Sequence, residues 1–259
     1  MDFLGIGLSA TDYVGHAFGP DSIEIEDDML ALDITIGALL AKLDSSVGPG
    51  KYVVALTADH GVAPIPEQTR RQGRDAGRVD ARAVVDRIEK ALAGKLGAGH
   101  AVAQFIPPDL YFAPDVAKRV GADPALWRGV REAAMAGPGI ADAILPAQGT
   151  ASNTAAQSRN LRFDRMPERS GDAWIGLERN WIFSAGNGTG TTHGTAYDYD
   201  QRVPVILFGA GIKPGRYPAS TTPADIAPTL AALSGVRIAR TDGRVLREAL
   251  APAAAAAAR

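Results

Sequence analysis

The chain has no cysteine and only four histidines among its 259 residues. The first absence removes disulfides, thiolate nucleophiles and cysteine-ligated metals together, yet leaves the compartment open, since many exported proteins also lack cysteine. The second means that any histidine-based site must draw on very few positions. Charge of neither sign is in excess: 27 basic against 29 acidic side chains leave a net charge of −2. That balance gives no electrostatic reason to expect nucleic acid or an anionic membrane surface as a partner. No apolar run approaches the roughly 18 residues of a membrane span, and no basic segment followed by an apolar one marks a signal peptide. What is present is an ordinary globular composition, 46% apolar and 22% charged, long enough for one large core or two smaller ones.

The periodicities predict an α/β protein with a mainly parallel β-sheet flanked by helices. Phe3 to Ser9 is almost continuously apolar and reads as a strand covered on both faces. A helix follows, with Glu24, Glu26, Asp27 and Asp28 in its first turn. Its apolar residues Ile25, Met29, Leu32, Ile36, Leu39, Leu40 and Leu43 recur at helical spacing, and Gly48-Pro49-Gly50 stops it. Tyr52 to Thr57 reads as a second buried strand, so that strand, helix and strand make a right-handed parallel crossover. Ala63 to Val79 reads as a polar surface loop in which Arg70, Arg71, Arg74 and Arg78 are solvated, although they could attract an anion.

Further along, Asp80 caps an expected helix with Val84, Val85, Ile88, Ala91 and Leu92 on one face. Ala101 to Ile106 and Leu110 to Phe112 read as strands, Pro124 to Ala136 as a helix, and Ile140 to Leu145 as an edge strand. Pro146 to Gly171 has no clear period, and a loop of that length usually covers a site or moves. A hairpin is expected from Ala173 to Leu177 and Trp181 to Ser184, turning at Glu178 to Asn180. Val203 to Phe208 reads as a strand, Pro223 to Leu233 as a helix capped by Thr221 or Thr222, and Ala253 to Ala258 as a frayed end.

Three of the four histidines occur in settings that suit metal ligation. Asp12 and His16 are four apart, on one face if the chain makes a helical turn there, and a carboxylate with an imidazole suits a borderline ion such as Zn²⁺. In Ala58-Asp59-His60-Gly61, ideal strand geometry would point Asp59 and His60 to opposite faces. A bend at the strand end, eased by the glycine, lets both converge. His193 lies in the Gly- and Thr-rich stretch from Gly186 to Gly194, whose backbone can turn sharply. No lysine follows those glycines, which argues against a phosphate-binding loop. His100 has no acidic or histidine neighbour in sequence and reads as a surface or structural residue.

Three motifs resemble the alkaline phosphatase superfamily, in its zinc-dependent branch close to the type I phosphodiesterases and nucleotide pyrophosphatases. They are Ser-Ala-Thr-Asp-Tyr-Val-Gly-His-Ala-Phe-Gly-Pro (residues 9–20), Thr-Ala-Asp-His-Gly (57–61), and Thr-His-Gly-Thr-Ala-Tyr-Asp-Tyr-Asp (192–200) followed by Val-Pro-Val-Ile-Leu-Phe-Gly (203–209). They run in the family's order over most of the chain. The resemblance implies a phosphate-ester hydrolase that uses two zinc ions and a covalent phospho-enzyme. Asp12, His16 and His193 would hold one zinc, while Asp59 and His60 would hold the second.

The second site's remaining aspartate and its nucleophilic threonine or serine would lie upstream of Met1. The 259 residues then form the C-terminal portion of one alkaline-phosphatase-like domain, with a cover segment around 101–172. No catalytic nucleophile is assigned within them: Thr11, Thr57 and Thr192 each fit a structural role beside a ligand. The implied substrate is a small-molecule phosphate ester, and the resemblance implies a periplasmic or secreted parent. Two alternatives stay open: a phosphodiesterase or nucleotide pyrophosphatase of the same superfamily, and a catalytically inactive metal-binding fragment.

Overall fold

The protein is described here from a computed structural model, which describes residues 2–97, 99–148, 157, 161, 165–166, 168–184 and 190–252. The chain divides into two compact units, one built from residues 1–11, 23–61 and 202–259 and the other from 12–22 and 62–201.

The first unit contains the long helix α2 (Ile23–Ser46), which follows α1 (Ala10–Phe18) in the chain, together with β1 (Val53–Thr57). The apolar stripe expected along α2 is its half-buried face: Ile25, Leu32, Ile36, Leu39, Leu40 and Leu43 are partly covered, whereas Met29 is exposed and no residue of the helix is fully buried. β1 pairs antiparallel with a strand near the end of the chain, in register from Val53 opposite Gly209 to Thr57 opposite Val205. At the start of that register Gly209 has φ +108°, and a Cβ there would stand 2.2 Å from the Tyr52 carbonyl oxygen, so the close approach requires glycine.

Asp225 organises the C-terminal part of this unit. Its buried carboxylate accepts from the backbone N–H groups of Thr222 (2.9 Å) and Arg244 (2.7 Å). The first of these is the expected Thr222 boundary, entered here through a single 3₁₀ turn, Pro223–Asp225.

The expected strand over Phe3 to Ser9 does not form. Residues 2–8 are irregular and exposed, Phe3 at 87%. An apolar run becomes a strand only where a neighbouring strand takes up its N–H and C=O groups, and among the described residues none does. The parallel crossover expected from that strand is therefore absent as well.

The second unit holds the main core. After α3 (Pro66–Arg71) and β2 (Gly77–Val79) come α4 (Ala81–Leu96), β3 (Val102–Ile106), β4 (Asp109–Phe112), α5 (Pro114–Ala122), α6 (Pro124–Met135), β5 (Ile140–Ile144), β6 (Ala173–Leu177), β7 (Trp181–Phe183) and the short helix α7 (Asp198–Gln201). The first unit then resumes with β8 (Val205–Gly209), the partner of β1, and α8 (Ile226–Ser234). Asp80 caps α4 by accepting from the Arg82 N–H, and Asp123 caps α6 by accepting from those of Ala125 and Leu126. Val84, Ile88 and Leu92 on α4, and Leu126, Val130 and Ala134 on α6, recur every four residues and are buried. Each large side chain so buried contributes about 1.5–3 kcal/mol.

These helices pack against one another and on a four-stranded sheet of order β3-β4-β6-β5, antiparallel throughout, with β5 at the edge as expected. The α/β class holds, but parallel pairing is limited, among the described residues, to β2 with β7. Residues 102–144 of the segment expected as a cover thus supply strands and helices of this core. Residues 149–156, and most of 158–167, lie outside the described residues.

Two local readings are corrected. β6 and β7 are not a hairpin: Asn180, at φ +66°, redirects the chain so that β6 pairs with β4 and β5 while β7 pairs with β2. Residues 63–79 are not a plain loop either, since α3 and β2 form within them.

Candidate metal centre

The residues Asp12, His16 and His193 meet within the second unit. Asp12 and His16 lie on α1, one turn apart, and their side chains face the same way as the i, i+4 spacing dictates. His16 Nε2 is 3.5 Å and His193 Nε2 3.9 Å from Asp12 Oδ1. The two imidazole centroids are 5.0 Å apart, with the rings tilted by 46°. Donors bound at about 2.0–2.1 Å to a tetrahedral ion lie about 3.3 Å from one another. The two separations from Asp12 Oδ1 exceed that edge by about 0.2 and 0.6 Å, so both imidazoles would have to draw in to share one ion with the carboxylate. The oxygen–nitrogen–nitrogen donor set suits Zn²⁺.

A backbone hydrogen bond orients the His16 ring. His16 Nδ1 lies 2.9 Å from the Thr191 carbonyl oxygen. A carbonyl can only accept, so Nδ1 carries a proton and the ring presents Nε2 to Asp12. In return the Thr191 N–H donates to the His16 carbonyl at 2.8 Å. The buried Thr191 hydroxyl donates to the Ala63 carbonyl (2.8 Å), and the Ala63 N–H donates to the Thr192 carbonyl (3.1 Å). Past His193, the Thr195 N–H donates to the buried carboxylate of Asp200 at 2.6 Å. The stretch carrying His193 is thus pinned on both sides, as metal-ligand loops are when partners beyond the ligands set their direction.

An aromatic cluster supports the same stretch. Arg179 lies over the rings of Tyr197 and Tyr199, at 5.4 and 5.3 Å, and pairs with Asp198. The Tyr197 hydroxyl donates to the Leu177 carbonyl (3.0 Å). Burial, with a smaller push from the Glu178 charge, raises the Tyr197 phenol to about 12. A cavity of about 160 Å³ adjoins His193, with Pro107, Gln157, Trp174, Phe183 and Thr195 among its walls.

In the first unit, Asp59 and His60 follow the end of β1, where the chain bends. The expected convergence occurs: His60 Nε2 is 3.6 Å from Asp59 Oδ2. His60 Nδ1 lies 2.8 Å from the Gly61 carbonyl oxygen, so this ring too carries a proton on Nδ1 and presents Nε2 to the carboxylate. His100 is exposed, as read from sequence.

Sequence reasoning missed the roles of Thr191, Asp200 and Arg78. The signal for the first two was adjacency to the His193 motif. Arg78, taken as a solvated loop residue, is largely buried: its guanidinium holds both Glu67 carboxylate oxygens at 2.8 Å and the Gly190 carbonyl at 2.7 Å.

A family model described as type I phosphodiesterase / nucleotide pyrophosphatase matches residues 1–200. Among curated proteins, the chain is 34% identical over 233 residues to a protein named calcium-transporting ATPase from Myroides odoratus, covering 89% of this chain and 42% of that one. It is 33% identical over 243 residues to alkaline phosphatase PafA from Elizabethkingia meningoseptica, covering 90% and 42%. The crystal structure of PafA superimposes with a TM-score of 0.83 at 28% identity, over 94% of this chain and 47% of that one. The chain therefore spans less than half the length of each of these relatives. Among the described residues, no helix is long and apolar enough to cross a membrane. With its three motifs in order and this fold, the chain belongs to the type I phosphodiesterase / nucleotide pyrophosphatase family.

Proposed function

We propose that this chain carries the zinc-ligand half of a phosphate-ester hydrolase of the alkaline phosphatase type. Asp12, His16 and His193 bind one zinc ion; Asp59 and His60 contribute to a second. The reading is supported above all by the convergence of Asp12 with the Nε2 atoms of His16 and His193. When bound, paired zinc ions supply charge stabilisation to an in-line phosphoryl transfer and lower the pKa of the attacking oxygen. This chain's part is to hold the His16 and His60 rings through their Nδ1 atoms and to keep the carboxylate of Asp12 facing His16 and His193. Three protein ligands leave a fourth tetrahedral position for water or a phosphate oxygen. The cavity beside His193 is suited to the organic part of a small ester.

The nucleophile and one further aspartate, which would complete a two-zinc mechanism through a covalent phospho-enzyme, are assigned to the part of the relatives' length that this chain does not span. The resemblance supports assigning the longer parent to the periplasm or the outside of the cell.

Zinc titration of the 259-residue chain against a competing chelator tests the reading. About one tight equivalent is expected, lost in His16→Ala and His193→Ala and kept in His100→Ala. Supplying a segment with the missing aspartate and hydroxyl should then produce zinc-dependent hydrolysis of a chromogenic phosphate monoester. Full zinc stoichiometry in His193→Ala would refute the ligand assignment. Turnover by the bare chain that His16→Ala abolishes would show that the nucleophile lies within these residues.

A further inference from the structure

We infer that Arg78 is a positioning residue for the first metal site, acting on His16 through one peptide plane. The inference rests on the zinc reading of Asp12, His16 and His193 given above. Arg78 stands in β2, next to β7, and its Nε and one Nη atom grip both oxygens of Glu67 at 2.8 Å each. This bidentate fork orients the guanidinium plane. The same Nη atom sends its other hydrogen to the Gly190 carbonyl at 2.7 Å. Glu67 answers the charge: its carboxyl is held below the usual carboxylate range, chiefly by the hydrogen bond from Arg78.

The Gly190 carbonyl and the Thr191 N–H are the two ends of a single planar peptide unit. Arg78 holds one end, and the other donates to the His16 carbonyl at 2.8 Å. With both ends fixed, that plane cannot rotate without breaking one bond or the other. The next carbonyl, that of Thr191, is the acceptor that keeps the proton on His16 Nδ1. A cation on the peptide oxygen also polarises the N–H opposite it and strengthens its bond to His16. Lysine cannot reproduce this, because a compact ammonium lacks the planar fork that meets a carboxylate on two oxygens and a carbonyl at once.

The test compares zinc affinity of wild type, Arg78→Met, Arg78→Lys and Glu67→Gln, with hydrogen exchange of the Thr191 amide in the zinc-free chain as a second readout. Arg78→Met should weaken the tight equivalent by about 10–100-fold, the usual cost of losing a partner beyond the ligands. Arg78→Lys should recover little of that loss, and Glu67→Gln should fall between wild type and Met. The Thr191 amide should exchange faster in each variant while the Ile88 amide, in the core, does not.

A purely structural role for Arg78 would lower the melting temperature and leave zinc affinity within about twofold of wild type, well short of that cost; this result overturns the inference. If Arg78→Met does not fold, the Lys and Glu67→Gln variants decide by the same criterion. Failure of the wild type to bind zinc would overturn the metal reading itself, and this inference with it.

Discussion

Replacing Gly190 by alanine tests the local geometry most directly. Gly190 has φ +71°, and a Cβ there would stand 2.2 Å from the His16 carbonyl oxygen and 3.3 Å from that of Ala17. Carbon and oxygen do not ordinarily approach within about 3.3 Å. The neighbour is backbone rather than a side chain that could swing aside, so the loop and α1 must part by about 1 Å. That movement breaks the 2.8 Å bond from Thr191 N–H to His16, and with it the acceptor that directs the ring. A left-handed backbone costs a non-glycine residue about 1–2 kcal/mol, and losing the bond about 0.5–1.5 kcal/mol more.

Gly235 provides the matched control. It ends α8 at φ +66° with open space around its Cβ position, so Gly235→Ala meets the backbone cost alone. Chemical denaturation and zinc titration of both variants are the assays. Gly190→Ala should be the less stable and should bind zinc about 10–100-fold more weakly, whereas Gly235→Ala should retain wild-type affinity. Equal stability of the two variants with unchanged zinc binding would refute the argument from close approach.

Two further outcomes follow from packing and burial. Ile88, with none of its surface exposed, packs in the main core, so Ile88→Ala should cost about 2–5 kcal/mol in denaturant unfolding without changing zinc stoichiometry. Tyr197 is raised from 10.0 to about 12, and the folded state therefore holds its proton more tightly than the unfolded state. Its contribution is complete below pH 10 and is lost as pH rises toward 12. The ceiling on that loss is about 2.7 kcal/mol, lowered by the ring's partial exposure. Tyr197→Phe should flatten the decline in stability across this window, and an unchanged alkaline profile would count against burial as its cause.

The candidate ligands were legible because their geometry is local. Asp12 and His16 need only one helical turn to face the same way, and Asp59 and His60 need only a bend after a strand. The same holds for the caps at Asp80 and Asp123 and for the four-residue spacing of the core faces of α4 and α6. These features depend on φ, ψ and spacing over a few residues, which the order of side chains carries directly.

Relations between distant segments were decided by tertiary structure. Phe3 to Ser9 has the composition of a buried strand, but burial belongs to a pair of surfaces, and no described neighbour covers it. The hairpin pattern around Asn180 was misread because a turn directs the chain without naming the strand it will join. Arg78 looked like one of four loop arginines until folding brought it to Glu67 and, 112 residues away, to Gly190. The sequence by itself determined which side chains can ligate a metal. Only the fold decided that the Thr191 carbonyl directs the His16 imidazole, because a hydrogen bond across 175 residues has no periodicity to read.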